Sequence, residues 1–89
     1  MTWNVEFDNR ARKELRELDP QTQDRILKWL RQTLVMEEDP RRMGKSLKGR
    51  MKGLWRYRIG DYRIISQIQD ENNLILVVRI GQRGDIYED

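Results

Sequence analysis

Three β-rich runs, residues 54–59, 62–69 and 74–80, follow one another with only Gly60-Asp61 and a turn within residues 70–73 between them. Gaps this short leave no room for a crossover connection, so the runs must form an antiparallel meander. The last run, Leu-Ile-Leu-Val-Val, does not alternate, which predicts a central strand or one pressed tightly onto helices. Residues 2–7 do alternate, with Trp3, Val5 and Phe7 on one side, as in a half-buried strand. Two helical signals lie between. Asp8 is placed to cap a helix with Ala11, Leu15 and Leu18 at helical spacing, and Asp19-Pro20 starts a second helix over about residues 20–35. The second helix carries Ile26, Leu27, Leu30 and Leu34 as its apolar stripe, with Trp29 at the margin. Residues 41–53 hold three glycines and show no period; they read as a loop with a short extended piece at 45–48. The expected fold is α+β, an N-terminal strand and a helical hairpin packed on a mostly antiparallel four-stranded sheet in the order β-α-α-β-β-β.

At 89 residues the expectation is one domain spanning 1–89. The chain has no cysteine and no histidine, which removes zinc fingers, thiol nucleophiles and Ser-His-Asp chemistry. No metal or cofactor is implied. The longest apolar run, residues 74–78, is far below the roughly 20 residues of a membrane span, and the N-terminus lacks the regions of a signal peptide, so a soluble cytoplasmic protein is expected.

Charge is segregated along the chain. Residues 1–40 carry seven Lys/Arg against nine Asp/Glu, residues 41–63 nine against one, and residues 64–89 two against five. Half of the basic side chains thus sit in about a quarter of the length, a pattern suited to a polyanion, although a solvated loop of scattered cations has the same composition.

Side chains alternate along a strand, so Arg56 and Arg58 share a face while Trp55, Tyr57 and Ile59 take the other, core-facing one. With Gly60-Asp61 as a two-residue turn, Ile59 pairs with Tyr62 and Arg58 lies directly across from Arg63. Like charges in that position repel by about 0.2–1 kcal/mol, which a sheet built only for stability would avoid. Planar guanidinium donors suit phosphate oxygens and can offset charge developing on an attacked phosphodiester; alternatively, Asp61, Asp85 or Glu88 neutralises them in surface ion pairs. Lys45, Lys48, Arg50 and Lys52 flank the run and are candidates for holding a nucleic-acid backbone, or a mobile basic loop. Tyr87 is placed either to stack on a base or to pack its ring on the domain. No Walker motif or dinucleotide fingerprint is present.

The segments Val5-Glu6-Phe7-Asp8, Ala11-Arg12-Lys13-Glu14-Leu15, Leu47-Lys48-Gly49, Trp55-Arg56-Tyr57-Arg58-Ile59-Gly60-Asp61-Tyr62-Arg63 and Val78-Arg79-Ile80-Gly81-Gln82-Arg83 with Tyr87 together resemble the RelE family of toxin–antitoxin toxins. The resemblance implies a ribosome-dependent endoribonuclease that cuts mRNA in the decoding site, using a 2′-hydroxyl of the message as nucleophile and giving a cyclic phosphate without a metal. It implies a RelB-like antitoxin, the ribosome and mRNA as partners. The family's catalytic residues match Arg56, Arg58, Arg63, Arg83 and Tyr87. Where many relatives read Gly-His-Arg and a further basic residue, this chain has Gln82 and Gly84, so an attenuated activity is expected. Two other functions fit the same fold: a ParE-like inhibitor of DNA gyrase, and a catalytically dead RNA- or ribosome-binding module.

Overall fold

A computed structural model describes residues 3–82. Strand β1 (Asn4–Phe7) leads into helices α1 (Asn9–Arg16) and α2 (Pro20–Gln32), and then come β2 (Lys45–Ser46), β3 (Trp55–Ile59), β4 (Tyr62–Gln69) and β5 (Leu74–Gln82). The sheet order is β1-β5-β4-β3-β2, with β1 parallel to β5 and every other pair antiparallel. The helical hairpin on a mostly antiparallel sheet is the expected class. The strand count is five rather than four: Lys45 and Ser46 pair with Arg56 and Trp55. A two-residue strand has no alternation to read. Its position is set by Gly44, where an ideal Cβ would stand 2.8 Å from both the Arg56 carbonyl oxygen and Tyr57 Cε1. Only glycine lets the backbone lie that close to β3.

Both helices begin as their caps dictate. The Ala11 N–H donates to Asp8 Oδ1 at 2.9 Å, and Thr22 N–H and Oγ1 donate to the Asp19 carboxylate at 3.2 and 2.6 Å. These Thr22 bonds hold the Asp19 carboxyl below the usual carboxylate range. α2 ends at Gln32, short of residue 35, and the chain tightens into a 3₁₀ turn over Leu34–Met36. That change of pitch buries Leu34 and Val35 together and leaves the Val35 carbonyl to accept from Trp3 N–H at 3.0 Å, which ties α2's end to β1's start.

Ile26 and Leu30 of α2, with Ala11 and Leu15 of α1, pack on Tyr57, Ile59, Ile64, Ile75, Val77 and Ile80 of the sheet. The Tyr57 ring meets Trp29 at 5.6 Å between centroids, and its hydroxyl donates to the Pro40 carbonyl at 2.9 Å. Burial raises that phenol's pKa, so it stays protonated and a donor. The sheet's other face carries a second, smaller cluster of Leu47 and Ile65 with Met51, Leu54 and Val78, covering part of it. No helix among the described residues is long and apolar enough to cross a membrane.

Candidate nucleic-acid interface

The β3–β4 turn fixes the site. Gly60 takes φ +59 while Asp61 stays at negative φ, so the left-handed residue is the first of the two, as a type II′ hairpin turn requires. The pairing follows as Ile59 with Tyr62 and Arg58 with Arg63. Arg63 in turn stands across from Gly81 of β5, which adds no side chain to that row. Lys45 of β2 stands directly opposite Arg56, so a second like-charge pair lies one step along β3. Four basic residues therefore share the sheet face that the helices leave open.

Their environments differ. Arg58 is exposed, Arg56 is half-buried, and Arg63 is only 4% exposed. The Arg63 Nε is buried and has no hydrogen-bond partner among the described residues. No carboxylate among those residues forms a salt bridge with Arg58 or Arg63; Asp61, one of the expected neutralisers, forms none. Asp85 and Glu88, the other two, lie outside the described residues. Arg58, Gly60, Asp61, Arg63 and Gln82 line a shallow recess of about 320 Å³. A buried donor left unsatisfied costs about 1–3 kcal/mol, and an anion entering the recess would relieve the repulsion between the paired arginines.

The expected site residues are distributed as follows. Arg56, Arg58 and Arg63 gather on one face, with Lys45 beside them. Lys48, Arg50 and Lys52 are exposed on and around the 3₁₀ turn Gly49–Met51 that leads into β3. Arg83 and Tyr87 lie outside the described residues, as does Gly84. Gln82 closes β5 opposite Tyr62. Trp55 and Tyr57 pack with the main core, as expected.

Charge arithmetic alone missed two things. Arg41, counted in the basic block, is occupied: its guanidinium donates to both Asp70 carboxylate oxygens and to Asp39, and it lies 5.9 Å over the Trp55 ring. Conversely, Arg25 of α2, outside the block, packs its guanidinium against Gly60 at the hairpin tip. The spacing of Arg25, Lys28 and Trp29 at i, i+3 and i+4 was the available signal for a shared helix face.

The profile of the family described as "ParE toxin of type II toxin-antitoxin system, parDE" matches residues 5–87, nearly the whole chain. The chain belongs to the RelE/ParE superfamily of type II toxin–antitoxin toxins. Toxin RelG of Mycobacterium tuberculosis is 32% identical over 87 residues, covering 98% of each chain. The mRNA interferase toxin RelE of Escherichia coli is 29% identical over 93 residues, covering all of this chain and 94% of that one. Among solved structures, the toxin–antitoxin complex RelBE2 of M. tuberculosis matches with a TM-score of 0.85 at 29% identity, covering 93% of this toxin and 100% of that chain. The intact RelBE complex of E. coli matches with a TM-score of 0.68 at 25% identity, covering 90% and 95%.

Proposed function

We propose that this toxin is a ribosome-dependent mRNA endoribonuclease, and that the observation carrying the reading is the Arg58–Arg63 pair: two opposed guanidiniums, one of them buried, with no carboxylate partner among the described residues. A 2′-hydroxyl of the message gives up its proton to solvent and attacks the adjacent phosphorus, so that the O2′–P bond forms, the P–O5′ bond breaks with O5′ taking up a proton from solvent, and a cyclic phosphate and a 5′-hydroxyl end remain. Arg58 and Arg63 offset the charge gathering on the non-bridging oxygens, with Arg56 beside them. Guanidinium keeps its protons, so these residues stabilise charge and take no proton from the nucleophile. Arg83 and Tyr87 complete the catalytic set by family resemblance. Lys45, Lys48, Arg50 and Lys52 hold backbone phosphates without reading sequence. The RelE relatives of Escherichia coli and Shigella flexneri, both named mRNA interferases, support this reading. The partners follow the same line: a RelB-like antitoxin, as in the RelBE complexes, together with the ribosome and its message, in the cytoplasm.

The test is primer extension on translated mRNA. Cuts in ribosome-bound message that disappear with Arg58→Ala and with Arg63→Ala support the enzyme, and a variant that still cuts at the full rate removes its residue from the site. Because Gln82 and Gly84 stand where relatives carry His and a basic residue, the wild-type rate is low. Gln82→His with Gly84→Arg raises it, within the roughly 10²–10⁴-fold that general acid–base groups supply; an unchanged rate rejects attenuation. The ParE description of the matching family favours a second reading as a gyrase inhibitor. Loss of supercoiling without cut message would select it, and a translation block without cuts would select a non-catalytic binder.

A further inference from the structure

On α2, Arg25, Lys28 and Trp29 share one helix face, and that face looks onto the β3–β4 hairpin tip. An ideal Cβ at Gly60 would stand 2.9 Å from Arg25 Nη1 and 3.0 Å from Nη2, so Gly60 serves both as the left-handed turn residue and as the seat of the Arg25 guanidinium. With Arg58 these residues line an open groove of about 430 Å³ on the helix side of the tip. Arg58 also lines the recess on the open face of the sheet. The two hollows therefore share Arg58 and Gly60 and meet at the turn. Arg25 and Arg58 have no salt-bridge partner among the described residues, and Lys28 is held by Asp24 at 3.0 Å in an exposed pair that an incoming phosphate can replace at little cost.

We propose that this groove carries the continuation of an RNA strand: backbone phosphates leave the recess at Arg58, pass over the hairpin tip and meet Arg25 and Lys28 on α2. This rests on the reading of the open face as an RNA site. A single strand can turn sharply around a hairpin tip, which a stiff duplex resists. The half-exposed Trp29 beside two cations is the aromatic-plus-basic combination that binds single strands without sequence preference.

The experiment compares wild type, Arg25→Gln and the control Arg16→Gln, an exposed arginine on α1 that removes the same charge elsewhere. Affinity for a short single-stranded RNA is measured against salt, and co-sedimentation with ribosomes is measured in parallel, with folding checked by circular dichroism. The expected result is that Arg25→Gln lowers the log–log salt slope by about 0.7, the loss of one phosphate contact on a single strand, while Arg16→Gln leaves it unchanged. Loss on the oligonucleotide supports the groove as the path of the bound strand, and loss on ribosomes alone overturns it in favour of a contact with ribosomal RNA. A full slope for Arg25→Gln, in protein whose slope falls with Arg63→Gln, overturns the groove and leaves the open-face site standing. Weakened antitoxin binding with both slopes retained overturns it in favour of a protein partner. A wild type with no salt-dependent binding to either RNA removes the parent reading itself.

Discussion

On the helix side of the sheet, Tyr57, Ile64, Ile75 and Val77 are fully buried, and the phenol hydroxyl among them donates to the Pro40 carbonyl. One residue along the same strands, on the other side, Lys45 opposes Arg56 and Arg58 opposes Arg63. The first face removes apolar area from water and satisfies its donor, as stability demands. The second sets like charges across from each other and buries a guanidinium nitrogen without a partner among the described residues. Both faces belong to the same backbone, so the difference lies wholly in which parity of side chain was chosen. A face that departs from the packing rules on an otherwise well-packed scaffold is where contact with a partner is expected.

The largest effect separates the two faces by neighbouring residues. Ile64 and Ile65 are both fully buried, but Ile64 points into the main core and Ile65 into the small cluster with Leu47. Ile64→Ala is expected to cost toward the upper end of the roughly 2–5 kcal/mol typical of such truncations, and Ile65→Ala toward the lower end, because the smaller cluster can collapse into the space. Urea unfolding of the two variants measures the gap. Equal losses would mean that the open face is as much a structural core as the other.

A smaller effect has the opposite sign. Arg58→Gln removes the repulsion with Arg63 and is expected to raise stability by about 0.2–1 kcal/mol while abolishing the proposed mRNA cleavage. A lower urea midpoint for this variant would show that Arg58 is held for packing, and the contrast between the faces would lose its functional meaning.

The features legible in the sequence are those governed by local rules. The caps at Asp8 and Asp19, the alternation of Trp3, Val5 and Phe7 and the Gly60-Asp61 turn each act within a few residues, and the register that brings Arg58 to Arg63 follows from the turn alone. What escaped notice depends on distant contacts. The pairing of Lys45–Ser46 depends on Gly44 lying against Tyr57; the shortened α2 depends on burying Leu34 and Val35 together; and the place of Arg25 depends on how the helical hairpin sits over the turn. Arg41 is the clearest case, since its pairing with Asp70 spans 29 positions and no local pattern predicts it.

Arg41 and Arg63 sharpen the comparison at its smallest scale. Arg41 is matched by Asp70 and Asp39 and rests on Trp55, whereas Arg63 has no carboxylate partner among the described residues. The hydrogen bonds from Arg41 hold the Asp70 carboxyl below the usual carboxylate range. A carboxylate with a depressed folded-state pKa contributes stability that is fully present above its unfolded pKa and is lost as pH falls through the folded value. Wild type should therefore lose stability more steeply than Asp70→Asn below about pH 4, the ordinary range for an aspartate, and the two should differ by a constant amount above it. Asp70 is exposed, so solvent screening keeps the difference small. Urea midpoints from pH 2.5 to 7, a range set by the ordinary carboxylate pKa, read it directly. Parallel curves would mean that the Arg41–Asp70 bridge adds nothing, leaving both arginines as cations that the fold merely tolerates.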